Sequence, residues 1–135
     1  MRLSLLLVFV SLVILFIAFT TLFFRLTSER HWNFAYLAVP MFVISILGGV
    51  LIFLTFKQNV SGLLKVFLML VGFAPAAMIL SIILHNAVCA LFTSLLKKEV
   101  EEPVFFLLGI IGCPAAFLVG TIGSITMIIR YAIAS

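Results

Sequence analysis

Apolar residues fill four long blocks of this chain, and polar residues gather in the short stretches between them. The blocks run about Leu3–Phe24, Ala35–Phe56, Val66–Phe92 and Val104–Ile129. Each exceeds the roughly 20 residues that, at about 1.5 Å of helical rise apiece, cross a hydrocarbon layer about 30 Å thick. Inside lipid such a segment must satisfy its own backbone hydrogen bonds, so the pattern predicts four transmembrane helices. The turns between the second, third and fourth blocks are short, which makes sequential helices antiparallel neighbours. The expected fold is therefore all-α, an integral membrane bundle of four helices, with residues 1–135 forming a single transmembrane domain.

The polar punctuation refines the boundaries. Trp32 and Tyr36 suit the headgroup level, and His31 reads as a solvated residue beside them. Pro103 stands where a first-turn proline belongs, and Glu101 and Glu102 match the positive end of the helix it opens. Lys97 and Lys98 follow the third block, where the helix dipole favours cations. Pro75 lies well inside that block, which is long enough to need a kink or a tilt. Arg2 and the first block resemble a signal sequence in outline. The apolar stretch is too long for one, and no small-residue cleavage site follows, so a retained helix is expected.

Small residues mark where helices approach. Gly112, Ala116, Gly120 and Ser124 recur every four residues in the fourth block, with Gly109 and Gly123 beside them. This pattern predicts a packing groove, because small side chains let backbones come close. Gly48 and Gly49 offer the same at the middle of the second block. A short echo of Gly72–Ala77 at Gly112–Ala116 hints at an internal repeat.

Composition agrees with a membrane location. Of the 135 residues, 66% are hydrophobic and 9% are charged, more apolar surface than a soluble domain this small could cover. The net charge of +4 is spread thinly, so no nucleic-acid patch is formed. Counted by Lys and Arg, the two sides of the membrane tie, and both termini are placed inside only by a slight leaning. The expected location is the cell membrane, and the expected partners are the lipid bilayer together with a second copy or a larger membrane complex.

Few residues remain that could carry chemistry. His85 and Asn86 stand together inside the third block. Measured back from Lys97, His85 falls near the bilayer centre, where an ionisable group must face protein or water. Ser81, His85 and Cys89 share a face at intervals of four. The plainer reading of His85, Asn86 and Ser81 is interhelical hydrogen bonding; the alternative is a proton or substrate path. A third reading places a soft-metal or redox site at His85, Cys89 and Cys113. Against it, the four acids all sit in loops, leaving none to orient the histidine. No catalytic motif appears, no cofactor is implied, and no enzyme activity is expected.

Two stretches, Leu84–Phe92 ("LHNAVCALF") and Glu101–Ile125 ("EEPVFFLLGIIGCPAAFLVGTIGSI"), resemble a family of uncharacterised small multi-pass membrane proteins of bacteria and archaea. His85, Asn86, Glu102, Pro103, Cys113, Pro114, Gly120 and Gly123 match its pattern. Cys89 departs from it, since a tyrosine is common there. The resemblance implies a multi-pass prokaryotic membrane protein and no particular activity. The leading expectation is a structural or accessory subunit that acts through helix packing.

Overall fold

The computed structural model describes residues 2–28 and 34–135. His31 and Trp32, expected at the first interface, lie outside the described residues. Four helices form: α1 (Leu3–Ser28), α2 (Phe34–Lys57), α3 (Gly62–Leu96) and α4 (Pro103–Ala134). All four are long and apolar enough to cross a membrane, and there is no strand among the described residues. The helices overrun the apolar blocks at both ends because polar residues such as Lys57 and Lys65 extend the backbone pattern. Their stems lie along apolar surface, with the Lys65 ammonium 4.5 Å from the centre of the Phe56 ring.

Lipid offers no backbone partners, and the hydroxyl side chains follow the same constraint. Thr20, Thr55 and Thr126 donate to the carbonyls of Phe16, Leu51 and Ile122, each one turn back in its own helix. Each hydroxyl is thereby satisfied without a neighbouring helix. The α2–α3 turn is closed by two hydrogen bonds, Asn59 N–H to Phe56 C=O and Val60 N–H to Thr55 C=O. Asn59 takes the left-handed conformation that this C-terminal motif requires, at φ 50°.

The helices run alternately up and down. The backbone N–H of Arg2 donates to the Gln58 side chain at 2.9 Å, tying the start of α1 to the end of α2. α3 is the central element, packed on α2 along one face and on α4 along another. α1 packs on α2 and reaches α4 through stacked rings, Phe16 on Phe117, with centroids 3.8 Å apart. Leu5, Leu12, Leu51, Leu68 and Val71 are fully buried between the helices.

Glycines set the closest approaches. Gly48 of α2 lies against the backbone of Gly72 in α3, and a Cβ on Gly48 would overlap the Gly72 carbonyl oxygen. A Cβ on Gly72 would meet the Gly48 carbonyl at 2.9 Å and Ile52 at 2.6 Å. Gly49 faces open space instead. On α4, a Cβ on Gly120 would come within 2.9 Å of the Phe67 carbonyl, and one on Gly123 within 2.5 Å of the Phe67 ring.

The groove on α4 differs from the expected one in its upper half. Gly109, Cys113, Phe117, Gly120, Thr121 and Ser124 are buried, whereas Gly112 and Ala116 are only partly so. A Cβ on Gly112 would touch nothing but Leu108 of its own helix. The reason is geometric. Successive steps of four drift around a helix by about 40° each, so an unbroken four-residue stripe cannot face one partner along its whole length. The real seam keeps its aim by one step of three, from Phe117 to Gly120. The two stretches of the short sequence echo are also placed differently, since Gly72 sits in a helix crossing and Gly112 does not.

α4 is not uniform. Residues Leu108–Gly112 form a π-helical turn between α-helical Pro103–Leu107 and Cys113–Ala134. Pro114 follows it at once. A proline ring presses on the carbonyl four residues back, here Ile110, and the wider turn accommodates it.

Gly48→Ala is expected to destabilise the protein by about 1–3 kcal/mol, because the atom it meets is rigid backbone. Gly49→Ala should change stability by no more than about 0.5 kcal/mol. Detergent-induced unfolding of the two variants in bicelles measures the contrast.

Candidate functional site

α3 is longer than the bundle around it. Its 35 residues span about 52 Å at 1.5 Å each, well beyond a hydrocarbon layer of about 30 Å. From Gly62 to His85 is about 35 Å on the same rise. The Gly48–Gly72 crossing fixes the level on α2: His85 lies 13 residues beyond Gly72, and Tyr36 lies 12 residues before Gly48. His85 is therefore level with the first turn of α2, at one end of the bundle and not at its centre. It is off-centre within the bundle because the last three turns of α3 extend past the start of α2.

The overhang is backed by the α3–α4 connection, which folds down along it. Lys97 is left-handed at φ 52° and ends α3. The Val100 N–H then donates to the Thr93 hydroxyl at 3.3 Å. This return delivers Glu102 to the level of His85.

Glu102 caps α4. Its carboxylate accepts from the Val104 N–H at 2.6 Å and from the Phe105 N–H at 3.0 and 3.1 Å. Free N–H groups and the positive end of the helix dipole favour a negative charge there. The same carboxylate lies 3.4 Å from His85 Nδ1. The side chains of His85 and Glu102 are 26% and 14% exposed, so the pair is largely shielded from the surroundings. Phe106 covers the imidazole, ring centre to ring centre 5.4 Å. Cys89 Sγ stands 3.9 Å from the same nitrogen. A neutral imidazole facing a carboxylate carries its proton on Nδ1, which leaves Nε2 as the basic nitrogen.

This pairing corrects the view that all four acids are solvated and none orients the histidine. The signal in the sequence was the Glu-Pro step opening α4, which fixes Glu102 as the capping residue. What the sequence hid was the direction of the preceding connection.

The other candidates separate from His85. Asn86 is exposed and donates to the Ile82 carbonyl at 3.0 Å, within its own helix, and makes no interhelical bond among the described residues. Ser81 is buried one turn below His85, against Gly109, whose Cβ would sit 3.3 Å from that of Ser81. Cys113 is buried near Ser81 and does not join His85 and Cys89. No group of three His, Cys, Asp or Glu side chains converges as a metal site among the described residues. The residues of the metal reading are thus divided between two levels. The hydroxyls of Thr121 and Ser124 are buried in the α3–α4 seam with no hydrogen-bond partner among the described residues.

The fold and this site define a four-helix bundle of the membrane-spanning type, with a carboxylate–imidazole pair at one end. No protein-family model, curated protein or solved structure matches the chain.

Glu102→Ala should cost about 0.5–2 kcal/mol, the range for a lost helix cap. Asn86→Ala should fall within about 0.5 kcal/mol. Nitrogen-15 spectra of labelled protein should place the neutral His85 proton on Nδ1 and show a shift toward Nε2 in Glu102→Ala. An unchanged tautomer in that variant would mean the carboxylate does not orient the ring.

Proposed function

We propose that this chain is a non-enzymatic structural or accessory subunit of the cell membrane, of the small prokaryotic type that its His-Asn and Glu-Glu-Pro stretches resemble. The observation that carries the reading is the filled, apolar interior, built on Leu5, Leu12, Leu51, Leu68, Val71 and Phe117. The gap lined by Phe16, Phe19, Met41, Ile44, Pro75 and Met78 amounts to about 10 Å³. That is room for about one water molecule at most, and its lining is apolar.

Gly72, Gly109, Gly120 and Gly123 are spent within the chain, so association with a partner falls to the outer faces. Of these, α2 presents Phe42, Ile46, Gly49 and Phe53, all exposed. Gly49→Leu is expected to leave unfolding stability within about 0.5 kcal/mol of the original. It should nonetheless lower the apparent mass of the native assembly in mild detergent. A wild-type chain that migrates as a 14.9 kDa monomer in its lipid–detergent shell, with no heavier species from native membranes, would overturn the proposal. Gly120→Leu does not test assembly, because Gly120 lies against α3 of the same chain.

A second reading, a proton path, is favoured by the His85–Glu102 pair alone. With the interior of one chain filled, the path would run between two copies. His85→Ala in proteoliposomes should then abolish proton flux, and unaltered flux removes the reading.

A further inference from the structure

At the end of the bundle opposite His85, a cleft of about 530 Å³ opens between the α2–α3 turn and the last turns of α4. Its lining is divided. Gln58, Asn59, Ser61 and Tyr131 offer amide and hydroxyl groups, while Leu64 and Ile128 form an apolar floor. Gln58 is held in place by the Arg2 backbone N–H and by Ser4, whose hydroxyl lies 3.2 Å from the Gln58 amide nitrogen.

Charge separates this end from the other. Lys57 adjoins Gln58, Lys65 adjoins Leu64, and Arg130 adjoins Tyr131 in the sequence, so each cation is one residue from the lining. Glu99, Glu101 and Glu102 lie in the α3–α4 connection at the opposite end. Among the described residues, the cleft end thus carries cationic side chains without acidic ones.

We propose that this cleft docks the headgroup of an anionic phospholipid from the leaflet on that side. The cations supply the attraction, worth on the order of 1 kcal/mol for each Lys or Arg near the membrane surface. The amides and hydroxyls supply hydrogen bonds to phosphate and glycerol oxygens. Leu64 and Ile128 meet the apolar part of the lipid just below the headgroup. An apolar groove of about 310 Å³ begins at Lys65 and follows α3 past Met69 to Phe73, so lipid-facing surface starts beside the cleft. A free phosphate ion would have no use for this apolar floor and groove, which is why a lipid is the assigned occupant. The proposal rests on the membrane-spanning fold and is independent of the accessory-subunit reading.

The test is native mass spectrometry of the full chain released from bilayers containing equal phosphatidylglycerol and phosphatidylcholine with matched acyl chains. Phosphatidylglycerol should be retained preferentially, and each of Lys57→Gln, Lys65→Gln and Arg130→Gln should lower the preference by about fivefold, the ratio that 1 kcal/mol represents. Ser61→Trp keeps every charge and fills the cleft, and it should also remove the preference. The proposal fails if the two lipids are retained equally. It fails if Lys97→Gln with Lys98→Gln lowers the preference as much, since that result means general surface charge. It fails if Ser61→Trp retains the preference, or if inorganic phosphate displaces the lipid as well as phosphatidylglycerol vesicles do.

Discussion

Close backbone contact along α3 is the constraint on which the rest depends. In lipid, apolar side chains gain nothing by leaving one hydrocarbon surface for another, so helices are held by dispersion at short range and by weak polar contacts. Gly48 and Gly72 bring α2 onto one face of α3, and Gly109, Gly120 and Gly123 bring α4 onto another. These contacts hold where a larger side chain would force the backbones apart. They also fix the longitudinal register of three helices to within a residue or so.

That register decides the chemistry available to the chain. With Gly72 locked against Gly48, His85 falls at the level where α2 begins, and three turns of α3 continue beyond it. The α3–α4 connection uses this overhang as a support and returns Glu102 to the base of it. Glu102 then meets two requirements at once, the free N–H groups of α4 and the His85 ring. The carboxylate is held by backbone donors, so its position does not depend on the histidine. The histidine is the oriented member of the pair.

The two ends of the bundle are consequently unlike. One carries an acid–imidazole pair among mixed charges. The other carries cations around an amphipathic cleft. Between them the interior is filled by aliphatic side chains and by the Phe16–Phe117 stack.

Much of this was legible beforehand, and the misses have specific causes. The four spans followed from apolar length alone, because nothing but a helix satisfies its backbone over 20 residues of hydrocarbon. Pro103 and Glu102 at the start of α4 followed from the shape of a helix N-terminus. The small residues of α4 marked the right helix, but Gly112 and Ala116 fall off the seam because a stripe of constant spacing drifts. The level of His85 within the bundle was not legible, because Lys97 and Lys98 mark the end of α3, which runs on past the start of α2.

What the sequence determined by itself is the number of helices, the apolar stretch within each and the cap that opens α4, since each is a property of one segment and its solvent. What only the tertiary structure decided is which levels meet. Whether His85 faces Glu102, Asn86 turns back on its own helix, or Cys113 sits with Ser81 depends on how far one helix slides past another. Sliding is set by the fit of glycine backbones across an interface, a property of helices in pairs that no single segment carries.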